Sequence, residues 1–252
     1  MLIADDGLVA EVAPLCLRYK LGIEVQAFFK PEYFEKILTA LADHERIISP
    51  IELRSMHGPF CDLNPGSTDP LITEVTRKRM DQGWSFATSL NIQHIIFHNG
   101  YIPGFSPEKK WFPRAVKFWQ EFLEAHPEPI EIHIENTLER SPTLMKDLID
   151  AINSPRLTIN LDIGHTHCFS KFGTVNWIKT LGPRIGYSHL HDNHGERDEH
   201  LGLTVGTIPI RDICYALEEY APNACWTIEA DFDGIETSLK WLDREGFLPK
   251  YN

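Results

Sequence analysis

The stretch IEIHIENTLERSPTLMKDLIDAINSPRLTINLD, residues 130–162, decides how the chain is read. Its first part, IEIHIEN, alternates apolar and polar side chains up to Glu135 with the two-residue period of a strand. SPTLMKDLIDAI then switches to helical spacing, with Ser141 placed to cap and Pro142 suited to the first helical position. LTINLD returns to a strand that ends at Asp162. Outward from this unit the same alternation continues. Strands are predicted at LIA from Leu2, GIEVQAF from Gly22, IELRSMH ending at His57, QHIIFH ending at His98, IGYSHLH through His189 and CWTIEAD through Glu229. Helical patterns lie between them, among them PEYFEKILTALADHE, with Pro31 suited to a first turn, and IETSLKWLDREG near the end. Eight strands each followed by a helix fit an α/β (β/α)8 TIM barrel better than a doubly wound sheet. No linker, repeat or low-complexity run divides the chain, so residues 1–252 are read as a single domain.

Composition narrows the function classes. The 252 residues are 42% apolar, enough for one large core. With 24 Lys plus Arg against 36 Asp plus Glu, the net charge of -12 weighs against nucleic acid or an anionic membrane as a partner. No apolar run is long enough to span a bilayer, and the acidic start MLIADDGLVAEV lacks the basic region of a signal peptide. A cytoplasmic location is the expectation. The five cysteines form no C-x-x-C pair and are expected to be reduced and mostly buried.

The predicted strands end in His57, His98, Glu135, Asp162, His189 and Glu229, all metal-ligand types. In a barrel these ends converge on the one face where active sites lie. The loops add His165, from DIGH, and Asp198 and His200, from the histidine- and acid-rich run HLHDNHGERDEH (189–200). Taken singly, His57 or His98 reads as an ordinary turn histidine, Asp162 as a helix cap and Asp198 as a loop acid. Asp192 and Glu196 are read as solvated loop residues or as supports for a ligand. Glu135 and Glu229 end apolar strands, where an unpaired carboxylate is costly and a cation removes the cost. Mixed His and carboxylate donors without cysteine suit Zn, Mn, Co or Fe.

With its motifs HGPF, FHNGY, IENT, LDIGH, SHLHDN, DEH and IEAD, the chain resembles the xylose-isomerase-like TIM barrels, which join sugar isomerases and epimerases to endonuclease IV-type apurinic endonucleases. The resemblance places a shared metal site on Glu135, Asp162, His189 and Glu229. It implies that His57, His98, His165, Asp198 and His200 are added where three ions are bound, with Glu135 bridging. Two departures stand out. Phe60 occupies a position where the endonucleases usually have Tyr, and HLHDNHGERDEH lacks the Arg-Gly usual after the strand-seven histidine of ketose epimerases.

Three functions follow as expectations. In the first, one to three divalent ions (Zn, Mn or Co) serve an isomerase or epimerase of a small sugar or sugar phosphate. Glu135 and Glu229 exchange a proton through an enediolate, while His57, His98 and His200 orient hydroxyls. Phe60, Tyr101, Phe105 and Trp111 would wall the pocket, and Arg197 could meet an anionic group. The second is a multinuclear phosphoesterase of endonuclease IV type, and the third a barrel that only holds a sugar or a metal. The apolar residues of KKWFPRAVKFW could pack a homodimer or, more simply, a neighbouring helix.

Overall fold

The computed structural model describes residues 1–4, 8–29 and 34–248. Eight strands close into a barrel in sequence order. They are β1 (Leu2–Ala4), β2 (Ile23–Val25), β3 (Arg54–His57), β4 (His94–His98), β5 (Glu131–Glu135), β6 (Leu157–Asp162), β7 (Ile185–Leu190) and β8 (Cys225–Ile228). Every neighbouring pair is parallel, and β1 closes the ring against β8. Helices follow each strand: α1 (Val9–Tyr19), α2 (Phe34–Ile48), α3 (Pro70–Ser89), α4 (Glu108–Ala125), α5 (Thr143–Ile152), the pair α6 (Ile163–Phe169) and α7 (Thr174–Leu181), α8 (Ile210–Tyr220) and α9 (Phe232–Glu245). The short LIA strand is present as read, and Pro31 lies outside the described residues.

The strand pattern divides the side chains between two environments. Ile132 and Ile134 of β5 join the large core beneath the helices. His133 and Glu135, on the alternate face, point into the barrel, as strand geometry requires. The interior is polar. The Tyr187 hydroxyl on β7 donates to Glu24 on β2 at 2.6 Å and meets Ser55 on β3 at 2.8 Å. Thr227 on β8 donates to the same hydroxyl at 2.6 Å. These contacts cross the barrel, and only a small apolar group of Met1, Ile96 and Tyr187 fills the space beside them.

Two expectations change, the Ser141 cap and the burial of the cysteines. Ser141 does not cap α5: the helix begins at Thr143, and its boundary residue Pro142 makes no side-chain capping bond. KKWFPRAVKFW is part of α4, and its Trp111, Ala115, Phe118 and Trp119 are buried at helical spacing against the core, as the simpler of its two readings expects. All five cysteines are free as expected, but only Cys16 and Cys214 are fully buried, where desolvation pushes their thiols up to about 12. Among the described residues no helix is long and apolar enough to cross a membrane.

Candidate metal centre

The C-terminal ends of β3 to β8 bring the predicted ligands together. His57, Glu135, Asp162, His189 and Glu229 are buried, and His98, His165 and His200 are half-buried around them. His189 is the centre of the inner group. Its Nδ1 lies 3.0 Å from Glu229 Oε2, 3.4 Å from Glu135 Oε2 and 3.8 Å from Asp162 Oδ2. Glu135 also faces a second group, with His57 Nε2 at 3.4 Å and His98 Nε2 at 3.7 Å. A third group stands on the loops, where Asp198 Oδ2 accepts from His200 Nε2 at 2.7 Å and from His165 Nε2 at 3.2 Å. In each of the sets His57/His98/Glu135, Glu135/Asp162/His189 and His165/Asp198/His200, one ligand atom per residue lies within 4.8 Å of the others.

Local structure explains each placement. Asp162 does cap the next helix, accepting from the His165 amide with Oδ1 at 2.7 Å, so the cap reading and the ligand position coexist. His57 is held through Nδ1, which donates to the Gly58 carbonyl at 2.9 Å and leaves Nε2 facing Glu135. Asp192 is not solvated. Buried, it accepts the backbone amides of Asn193, Gly206 and Ile208 at 2.8, 2.9 and 3.0 Å and so folds the loop that carries Asp198 and His200. Glu196 is exposed, as read.

Four further residues belong to the centre and were not singled out in the sequence. Glu24 accepts from His189 Nε2 with both oxygens at 3.2 Å, which turns Nδ1 toward the carboxylates. Asn160 donates to Glu135 Oε2 at 2.9 Å, and Gln26 donates to Glu229 Oε1 at 2.8 Å. His191 Nε2 faces Asp162 Oδ1 at 3.1 Å, and its Nδ1 is buried without a hydrogen-bond partner.

Burial opposes charge throughout, and the groups hold one another charged against it. Burial alone would raise Glu135, but His189, His98 and His57 keep its carboxyl well below the usual range. His189 and His200 do the same for Glu229. Against the same desolvation, Glu24, Glu229 and Glu135 hold His189 well above its ordinary value, and Asp162 with Asp198 raise His165. His200 is raised to about 9 by Asp198 and Glu229 despite burial, whereas burial takes His98 down to about 3. The cluster thus has an excess of buried carboxylate that protons on the imidazoles offset. A divalent cation would serve the same purpose without charging the rings. His and carboxylate donors, several with the opposite nitrogen or oxygen already bonded, fit an ion of the Zn, Mn or Co class. A cavity of about 790 Å³ elsewhere, at the N-terminal side of the barrel near Met1, Cys16 and Trp226, lacks such a constellation.

The sequence profile of xylose isomerase-like TIM barrels matches residues 22–245. The chain belongs to this family. It is 28% identical to the uncharacterized protein MJ1311 of Methanocaldococcus jannaschii over 69% of its own length, and it spans 63% of that relative. Its fold matches the TTHB071 protein of Thermus thermophilus, from crystals soaked with ZnCl2, with a TM-score of 0.82 at 23% identity, covering 99% of this chain and 98% of that one. It also matches D-psicose 3-epimerase of Clostridium cellulolyticum with D-tagatose, at a TM-score of 0.74 and 15% identity, over 96% and 92% of the two chains.

In this xylose isomerase-like barrel the residues read as pocket walls separate. Phe60 stacks on His98 with ring centroids 3.9 Å apart and meets His57 edge-on at 4.9 Å, beside the metal-type ligands. Trp111 does not reach the pocket: it is 1% exposed, donates to Asn64 Oδ1 at 2.9 Å and supports the half-buried Tyr101 from behind. A fused aromatic on the inner face of α4 is taken by the core. Phe105 is 88% exposed and walls nothing in this state, and Arg197 is exposed on the loop between His189 and His200.

Proposed function

We propose that this chain is a divalent-metal-dependent isomerase or epimerase of a small sugar or sugar phosphate. The observation that carries the reading is that Glu135 and Glu229, from strands three apart in the barrel, face the same His189 Nδ1 at 3.4 and 3.0 Å. Glu135, Asp162, His189 and Glu229 would hold the ion, with Glu24 orienting His189. When bound, the ion supplies positive charge beside a substrate carbonyl and its neighbouring hydroxyl, which acidifies the adjoining C–H. One carboxylate takes that proton, and the C–H electron pair enters the enediolate. The other carboxyl, which must first take up a proton from solvent, gives that proton to the opposite face, so the pair ends the turnover with its protonation exchanged. His57, His98 and His200 hold hydroxyls, Phe60 and Tyr101 border the pocket, and Arg197 meets a phosphate where the substrate carries one.

Exchange of solvent deuterium into a panel of ketoses and their phosphates tests the roles. Glu135→Gln and Glu229→Gln should each slow exchange by about 10²–10⁴-fold with the ion retained. Unchanged exchange in both variants would sink the assignment.

A second reading has its own support, because Glu135 is shared between two ligand groups and His165, Asp198 and His200 make a third. Three ions in such groups would suit a phosphoesterase, in which Glu135 would help hold the ions and would not act as a base. Hydrolysis of a simple phosphodiester or an abasic-site duplex by the zinc-loaded protein, without isomerisation of any ketose, would favour it.

A further inference from the structure

The barrel interior carries another group of metal-ligand side chains at its opposite end. His94 opens β4 and Glu131 opens β5, and the two are register partners. His133 follows on the same face of β5 as Glu131. His94 Nδ1 lies 3.0 Å from His133 Nε2 and 3.6 Å from Glu131 Oε2, and the three ligand atoms fall within 4.8 Å of one another. His98 and Glu135 stand four residues beyond His94 and Glu131 on the same strands, about 13 Å at a strand rise of roughly 3.3 Å per residue, and His133 lies two residues before Glu135.

We infer that His94, Glu131 and His133 form a second divalent-metal site of the zinc class, separate from the centre at the C-terminal ends of the strands. Two imidazole nitrogens bound to one ion at about 2.0–2.1 Å come within roughly 3.0–3.4 Å of each other. The observed pair, hydrogen-bonded ring to ring at 3.0 Å, already sits at that spacing, and an ion would replace the shared proton. His133 Nδ1 contacts Thr158 Oγ1 at 2.6 Å, and in the tautomer that donates to this hydroxyl Nε2 is left bare toward His94. Glu131 supplies the negative charge that two neutral rings lack. Exposure grades across the site: the side chains of His94 and Glu131 are 14% and 53% exposed, while His133 is fully buried. An ion could therefore enter from solvent and keep water in its remaining positions. Two imidazoles and one carboxylate are a zinc donor set. Nothing in the proton transfer proposed for Glu135 and Glu229 uses these residues, so the inference does not depend on that reading.

The test counts ions. Protein loaded with Zn²⁺ and desalted is measured by elemental mass spectrometry as the parent, His94→Ala, Glu131→Gln, and the double variant Asp162→Ala/His189→Ala. The inference expects His94→Ala and Glu131→Gln each to lose one ion per chain and the double variant to keep that ion. Thr158→Val should weaken the same ion by about 10–100-fold in chelator competition, as loss of an orienting hydrogen bond does. Because Glu131 is half in solvent, Glu131→Gln keeps the test valid even if His94→Ala fails to fold. Equal counts in the parent and Glu131→Gln, or a double variant with no ion at all, would overturn the site.

Discussion

Glu24 shows how one residue sets the direction of another. Its carboxylate holds His189 Nε2, so Nδ1 faces Glu135, Asp162 and Glu229, with the Asn160 amide also 3.1 Å away. Glu24→Gln should weaken the central ion by about 10–100-fold in chelator competition while leaving the fold intact. An unchanged affinity would show that His189 is oriented by packing alone. His200 gives the pH dependence. Its folded value of about 9 lies above the ordinary 6.5, so in the metal-free protein its stabilising charge is complete below about 6.5 and is lost as pH rises through about 9. An ion at His165, Asp198 and His200 must displace that proton. Its affinity should therefore tighten by at least about tenfold per pH unit below about 9, and more steeply where the raised His165 must give up its proton as well, which titration calorimetry from about pH 6 to about pH 10 would check. A flat profile would mean that His200 is not a ligand.

At the scale of elements, the strand ends were legible and the supports behind them were not. His57, His98, Glu135 and Asp162 stand out because each closes a strand, His189 because it is the last residue but one of β7, and Glu229 because it follows β8 directly. Glu24 lies in the middle of a three-residue strand, where the sequence reads as an apolar run with one acid, and nothing local says that the run faces the barrel interior. For Asp192 the sequence left a solvated and a supporting reading open, and the structure takes the second. Its neighbours are polar, but the loop folds back so that three backbone amides converge on one carboxylate. The glycine of DIGH also has a purpose visible only in three dimensions: a Cβ on Gly164 would lie 2.0 Å from the His191 ring. Asp192→Ala should lower stability by about 3 kcal/mol or more, through loss of charge-assisted hydrogen bonds, and release the loop bearing Asp198 and His200. Thermal unfolding with metal counting would then show a lower Tm and loss of an ion at His165, Asp198 and His200, with the ion at Glu135, Asp162 and His189 kept. Loss of both ions would mean that the loop also holds the inner group.

For the whole molecule, alternation of strands and helices sufficed to predict the barrel, because eight units with short connections leave few other ways to bury their apolar faces. What the sequence could not display is the column of polar contacts inside the barrel. Glu24, Ser55, Tyr187 and Thr227 come from four strands and meet only after closure. Through Glu24 that column ties His189 to the barrel's interior, so the inner ligand group is part of the framework, while His165, Asp198 and His200 stand beyond the strand ends. The most direct test is an anomalous difference map from zinc-loaded crystals, recorded on both sides of the zinc edge. The account predicts a peak bounded by Glu135, Asp162, His189 and Glu229. Full zinc occupancy elsewhere in the molecule with no peak among these four residues would contradict it.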